Sequence, residues 1–265
     1  MSYRSPHHGK VTPGQVAIIT GASSGIGLAA AEAALDAGAS VFAVDISPFP
    51  KVLSTSDKCK TLQCDITSPD GPKRIVEACS SAFNGRIDIL MNIAGVIDHN
   101  ASVDAVTDAD WDRCMAVNLT APVKLMREVI GTMRSQKSGV IINMASRAGM
   151  SGAAAGIAYT ASKHGLIGAT KNVAWRFKGE NIRCNVLCPG GVATGILNSV
   201  DPARFDQDAT SMLQPIFSAV YANRTDGYGI MKPSEVAATV VFLCSDQASR
   251  INGAVLPIDD GWSTV

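Results

Sequence analysis

Short β-branched and apolar runs alternate with longer segments of helical period from Gln15 onward, and this alternation constrains the fold more than any other feature of the chain. The runs cover 16–20, 40–45, 61–65, 87–93, 139–145, 182–188 and 254–258, and several are almost continuously apolar. Such runs suit strands covered on both faces, because a sheet with one wet face would alternate polar and apolar residues. Strand, helix and next strand in repeated order make β-α-β units, whose right-handed crossovers place helices on both sides. The expected architecture is α/β: a single doubly wound parallel sheet of about seven strands. Helix ends carry their own signals. Ser68, Pro69 and Asp70 offer an N-cap, a first-turn proline and an acid for the helix dipole, and Gly38 closes a helix over 28–37.

Composition agrees and excludes other classes. The 265 residues hold 23 Lys plus Arg against 23 Asp plus Glu, with 46% hydrophobic and 17% charged residues, so the chain is not of the disordered type. Aromatics are only 5% while Gly numbers 24, so the core must come from Ala, Val, Ile and Leu with close backbone approaches. A neutral chain without Lys/Arg blocks lacks the clustered positive surface that nucleic acid requires. No window supplies the ~20 apolar residues of a membrane span, and residues 1–12 have no apolar core of a signal peptide. A cytoplasmic location is expected. The seven cysteines are an odd, scattered set, and the close pairs Cys59/Cys64 and Cys184/Cys188 have no neighbouring His or second pair to complete a zinc site. They read as small buried hydrophobes, and no metal is expected. His7 and His8 lie in what reads as a flexible N-terminal segment, 1–14, ahead of one domain over 15–265. Within that domain, 190–232 is too long for an ordinary loop and reads as a substrate-binding lid, or alternatively as surface helices that touch no ligand.

Three groups of residues carry chemistry. The first run ends in Thr20-Gly21-Ala22-Ser23-Ser24-Gly25-Ile26-Gly27 and enters an Ala-rich helix. Glycines there let the backbone approach a pyrophosphate, and the helix N-terminus presents free N–H groups and partial positive charge. This is the Rossmann-type setting for a dinucleotide, with Ser23, Ser24 and Ile26 part of the turn. The second run ends at Asp45, where a carboxylate can accept from both adenosine ribose hydroxyls and would repel a 2′-phosphate. With no Arg or Lys at 23, 24 or 46 to compensate, NAD(H) is expected over NADP(H). The third group is Ser146, Tyr159 and Lys163. Tyr159 and Lys163 are four apart in a helical segment, 157–177, and so share a face. An ammonium beside a phenol favours the phenolate and brings a base of pKa ~10 toward neutral range. Ser146, ending the fifth run, can donate to a carbonyl oxygen. The Tyr/Lys pair by itself would be ordinary packing.

Taken together, these motifs resemble the short-chain dehydrogenase/reductase family, from about Gln15 to Trp262. The glycine run, Tyr159-Thr160-Ala161-Ser162-Lys163, and Ser146 13 residues before the tyrosine match its pattern. Asn118 matches the family's fourth catalytic position, Asp65-Ile66 its adenine-contacting pair, and Pro189-Gly190-Gly191-Val192-Ala193-Thr194 the segment over the nicotinamide. The stretch Asn92-Ile93-Ala94-Gly95 departs from the usual Asn-Asn-Ala-Gly, and Asp259-Asp260-Gly261 from Asp-Gly-Gly. The resemblance implies that Tyr159 is the general acid/base, that Lys163 lowers its pKa and binds the nicotinamide ribose, that Ser146 orients the substrate oxygen, and that Asn118 holds a relay water. It also implies cofactor contacts from Asn92, Ala94, Gly95, Pro189, Gly190, Val192 and Thr194, and a homodimer or homotetramer packed through helices near 111–134 and 157–177. The lid's apolar residues, Met212, Leu213 and Phe217 among them, fit a bulky hydrophobic alcohol or ketone of terpenoid or steroid-like type; burial against the sheet or a neighbouring subunit is the alternative. Other readings are a ketoreductase for acyl or polyketide substrates, a non-catalytic dinucleotide sensor, and a lyase or isomerase using bound cofactor.

Overall fold

In the computed structural model, which describes residues 14–221 and 230–264, the strands are β1 (Val16–Thr20), β2 (Ser40–Asp45), β3 (Cys59–Gln63), β4 (Ile89–Asn92), β5 (Gly139–Met144), β6 (Ile182–Pro189) and β7 (Val255–Ile258). All pair in parallel, in the order β3-β2-β1-β4-β5-β6-β7. The order reverses between β1 and β4, where Thr20 stands beside Asn92. In open α/β sheets a ligand crevice forms at the carboxyl ends of strands at that switch.

Period-2 alternation divides the core between the two faces. Ala17, Ile19, Val41, Ala43, Ile89, Met91 and Ile142 point to one side, where they pack with α1 (Gly25–Asp36) and α8 (Pro233–Cys244). Val16, Ile18, Phe42, Val44, Leu90 and Ile141 point to the other, against α3 (Gly71–Ala82), α5 (Ala121–Gln136) and Ala174 of α6 (Ile157–Phe177). The small faces of Ala30, Ala31 and Ala34 bring α1 close to the sheet. The remaining helices are α2 (Lys51–Ser54), α4 (Asp108–Met115) and α7 (Gln207–Tyr221), and a π-helical turn, Ala116–Thr120, joins α4 to α5.

The seven expected strands are all present, and α6 has the expected bounds. Three local features differ from expectation. The third strand ends at Gln63, two residues before the expected end, because the Asp65 carboxylate draws the chain into a turn by accepting from the Thr67 amide and hydroxyl. Ser68 is not a helix cap. Its hydroxyl donates to the Asp65 carbonyl, and α3 begins at Gly71 with Pro72 in its first turn. The helix after the glycine turn starts at Gly25, three residues earlier than expected, and ends just before Gly38, whose φ is +96°.

All seven cysteines are buried, unpaired thiols. Among the described residues no helix is long and apolar enough to cross a membrane. The expected flexible segment, apart from Gly14, and the 222–229 part of the lid lie outside the described residues.

Candidate active site

Close backbone approach shapes the glycine turn. A Cβ on Gly27 would lie 2.0 Å from the Gly21 carbonyl oxygen, and one on Gly21 would lie 2.8 Å from Ala94 Cα. Gly21 and Gly25 also have φ of +71° and +53°, where a side chain is strained. Ser24 precedes α1 without a side-chain hydrogen bond to it, so the helix N-terminus keeps the free amides suited to an anion. Asp45 reaches this turn: Oδ2 accepts the Ser23 amide at 2.9 Å and Oδ1 the Ser47 amide at 2.9 Å. Thr194 covers the turn, its methyl 3.1 Å from where a Gly25 Cβ would stand. A cavity of ≈ 610 Å³ between α1 and the lid is lined by Gly25, Leu28, Thr194 and Pro233, and not by Tyr159. These features fit a dinucleotide: a cradle that any side chain would fill, a free helix N-terminus and an acid at the end of β2.

Beside the turn, Asn92 Nδ2 donates to Asn143 Oδ1 at 2.8 Å, leaving buried Asn92 Oδ1 without a partner. Ile93 takes the place of the family's second Asn, and hydrogen bonding there is closed by Thr20, whose hydroxyl accepts the Ile93 and Ala94 amides. Gly95 stands where a Cβ would meet Asn118 Oδ1 and Lys163 Nζ. On the other side Gly190 packs against Asp259 and Trp262. The turn at 259–261 uses two left-handed residues, Asp260 and Gly261. Asp65 is exposed with Oδ1 engaged by Thr67, and the Ile66 side chain is buried in the core, so only backbone groups of Ile66 could meet an adenine.

Tyr159 and Lys163 are both buried on α6, with Lys163 Nζ 5.4 Å from the tyrosine ring centre. Ser146, just past the end of β5, acts on Tyr159 in the sense that favours the phenolate, but burial outweighs it and pushes the Tyr159 pKa up to about 12. Lys163 donates to the Met144 carbonyl at 2.9 Å and has no carboxylate partner among the described residues. Burial lowers its pKa to about 8. The lysine therefore does not bring the phenol toward neutral range in the protein alone, contrary to the charge argument from spacing, because desolvation acts on both groups.

Asn118 lies in the π-helical turn, fully buried. Its amide donates to the Val96 carbonyl and to Ser162 Oγ, and its Oδ1 accepts the Val96 amide. The side chain thus holds the β4–α4 loop, with both Nδ2 hydrogens used and one lone pair of Oδ1 left to accept from a water. Sequence reading missed two supports: Thr20, which organises the loop after β4, and Asp98, whose carboxylate binds the Gly156 and Tyr159 amides. The signal for the second was α6 beginning at a glycine with no cap of its own.

Val192 and Met231 form a parallel bridge, so the lid leaves and rejoins the body at one neck. Within it Leu213 and Met231 are buried, and Phe217 meets Trp262 edge to face at 5.6 Å. Leu197 and Met212 are exposed. The first half is fastened to the β4–α4 loop and α4: Ser199 Oγ accepts the Ile97 amide, His99 the Asp206 amide through its carbonyl, and Asp110 holds Arg204.

A parallel sheet with a glycine turn at its switch point, and a Tyr/Lys pair on the helix after β5, defines a dinucleotide-linked oxidoreductase architecture. Comparison with known proteins narrows it. The short chain dehydrogenase family profile matches residues 15–204. A short-chain dehydrogenase/reductase of Penicillium canescens is 64% identical over 95% of this chain and 97% of its own. The asnovolin H dehydrogenase of Aspergillus novofumigatus is 54% identical over 94% of this chain and 97% of its own. Among solved structures, levodione reductase superposes with a TM-score of 0.83 at 31% identity, covering 95% of this chain and 98% of its own. A putative NAD(P)-dependent gluconate 5-dehydrogenase from Beutenbergia cavernae with bound NADP (TM-score 0.80, 30% identity, 96% and 98% covered) is also similar. So is a 3-ketoacyl-(acyl-carrier-protein) reductase from Brucella melitensis with NADH (TM-score 0.80, 28% identity, 95% and 99% covered). The chain belongs to the short-chain dehydrogenase/reductase family. It is accordingly an oxidoreductase acting on CH–OH groups and binding a nicotinamide dinucleotide.

Proposed function

We propose that the protein interconverts a secondary alcohol and a ketone with NAD(H), on a bulky hydrophobic substrate of terpenoid or steroid-like type. The observation that carries this reading is the buried Tyr159/Lys163 pair on α6, with the half-buried Ser146 just past the carboxyl end of β5 acting on the tyrosine in the sense that favours its phenolate. Asp45, bonded to the glycine turn, supports NAD(H), since a 2′-phosphate there would meet a like charge. Exposed Leu197 and Met212 on the lid support a large apolar substrate.

A nicotinamide held in this cradle would supply or accept a hydride at the oxygen-bearing carbon. Ser146 holds the substrate oxygen by a hydrogen bond, and Tyr159 gives that oxygen a proton in reduction or takes it in oxidation. Lys163 binds the nicotinamide ribose and, when charged, stabilises the phenolate. Gly21, Ser23, Ser24, Gly25, Ile26 and Gly27 hold the pyrophosphate side. Asp65, Ile66, Asn92, Ala94, Gly95, Pro189, Gly190, Val192 and Thr194 complete the cofactor wall, and Asn118 keeps the loop after β4 in place. Residues 15–265 act as one cytoplasmic domain with 190–232 as its substrate lid. Exposed Trp111, Val123 and Trp175 on α4, α5 and α6 support a homodimer or homotetramer.

A second reading has its own support. Tyr159 held at about 12 is protonated at neutral pH, the state a reductase needs, and the 3-ketoacyl reductase neighbour points to acyl substrates. One experiment separates the two: titrate NADH and NADPH, then assay polycyclic alcohols and ketones, sugars and acyl thioesters in both directions. Tighter NADH binding with turnover of polycyclic compounds is expected. Activity confined to acyl thioesters selects the second reading, and activity confined to sugars defeats both.

A further inference from the structure

The β4–α4 loop crosses the start of α6 at Asp98, a residue only 1% exposed. Its Oδ1 accepts the Gly156 amide at 3.1 Å and the Asn100 amide at 3.2 Å, and its Oδ2 accepts the Tyr159 amide at 2.9 Å. Gly156 is the N-cap residue of α6, with extended backbone and no side chain to accept anything. First-turn amides have no intrahelical partner, and the third is the one that an N-cap oxygen ordinarily takes. In α6 that third residue is Tyr159. Asp98 therefore does from a distant loop what Ser, Thr or Asp would do at position 156. Gly156 makes room for it, since a Cβ there would lie 2.6 Å from both carboxylate oxygens and 2.7 Å from the Asn100 backbone.

We propose that Asp98 is a positioning residue for the reaction at Tyr159: its carboxylate caps α6 from outside and thereby sets the tyrosine hydroxyl against Ser146. This rests on the reading of Tyr159 as the acid/base. Ordinary helix capping would need only an acceptor; here the capped amide belongs to the reacting residue itself, and the loop that supplies the cap also carries the lid. The Ile97 amide is bonded to Ser199 and the His99 carbonyl to Asp206, on either side of Asp98. A shift of the lid is therefore felt one residue from the cap. A negative charge suits a helix N-terminus, and it also acts on the phenol. The groups facing Tyr159 are Lys163 on its own helix, the Ser146 hydroxyl, Cys114 of α4, Cys188 of β6 and Asp98, the last opposing phenolate formation.

The test is Asp98→Asn in the full chain, which keeps the shape, removes the charge and turns an NH2 toward a backbone N–H. A fall of about 10- to 100-fold in kcat is expected, as for a slightly misplaced reacting group, with NADH affinity within about twofold because the glycine turn is untouched. The acid limb of the alcohol-oxidation profile is expected to move to lower pH, a change that loss of packing alone would not produce. An unchanged kcat with an unmoved limb overturns the proposal. Should the variant fail to fold, amide exchange in the unaltered protein decides: Gly156 and Tyr159 protected by roughly 100-fold or more over open-chain rates supports the cap, and rates near those of a frayed helix end overturn it. Tyr159→Phe keeps the two readings apart. If that variant turns over normally, the acid/base assignment has failed, while the exchange rates still report on Asp98.

Discussion

The cofactor half of the crevice and the lid are held by different means. Around β1, β2 and β4 the geometry is set chiefly by close backbone approach, Gly27 against Gly21 and Gly21 against Ala94, with the Thr20 hydroxyl holding the two amides after β4. The described part of the lid is joined to the body by backbone bonds at its neck and at His99–Asp206, and otherwise by side chains at a few points, with Asp110 as a hub that accepts from His99, Thr107, Arg113 and Arg204. Burial disfavours charge on Asp110, but the hydrogen bonds from His99, Thr107 and Arg113 outweigh it and hold its pKa low. Backbone contacts leave almost no choice of residue, whereas side-chain fastenings can be exchanged one at a time. The part of the molecule that must fit a fixed cofactor is the constrained one, and the part that meets the variable substrate is not.

Four measurements would break or sharpen that contrast. Tyr159→Phe should lower turnover by about 10²–10⁴-fold with NADH binding retained, because proton transfer is lost and the cradle is not; a calorimetric titration beside steady-state assays checks both halves. Gly27→Ala drives a methyl into the Gly21 carbonyl and should weaken NADH binding by about 100-fold, an overpacking penalty of about 3 kcal/mol. Retained affinity would mean that the cradle is softer than its contacts imply.

Lys163→Met should lose activity yet unfold no more easily than the parent, with a gain of up to about 2 kcal/mol at neutral pH, because a buried ammonium is removed. The sign follows from the depressed pKa. Unfolded lysine keeps its proton up to 10.5 and folded Lys163 only to about 8, so the parent's deficit is full below pH 8 and fades as pH rises toward 10.5. Denaturant melts of both proteins across that window test it, and parallel curves would contradict the assignment. The smallest effect is expected from Asp110→Ala, which unfastens the lid: KM for the substrate should rise about 3- to 10-fold with NADH affinity unchanged, since the exposed Arg204 pair contributes little by itself. A larger loss of NADH binding than of substrate binding would erase the distinction between the two halves.

Legibility in the sequence follows the same divide. Strands and the glycine turn were readable because their determinants are local: short, nearly continuous apolar runs, glycines at a strand end, Asp45 closing β2. Helix α6 was readable to the residue from its composition and the Tyr/Lys spacing. The third strand was placed two residues late because Asp65 bends the chain by hydrogen bonds that no propensity scale contains. Asp98, the Asn92–Asn143–Thr170 network and the commitment of Asn118 to Val96 and Ser162 were not legible, since each joins residues tens of positions apart. The protonation of Tyr159 is not legible in the sequence for a related reason. Spacing puts a lysine beside a tyrosine, but only the packed structure shows that both are dry.

The Val192–Met231 bridge closes a segment of roughly forty residues at its neck. Loop-closure entropy grows only with the logarithm of length, so doubling such an excursion costs about 0.6 kcal/mol once its ends are fixed. The neck therefore separates the length of the lid from the stability of the sheet. Insertions and deletions between these two residues can reshape what the crevice admits while the register of β6 and β7 stays as it is, which makes the neck a natural joint for exchanging whole lids between relatives.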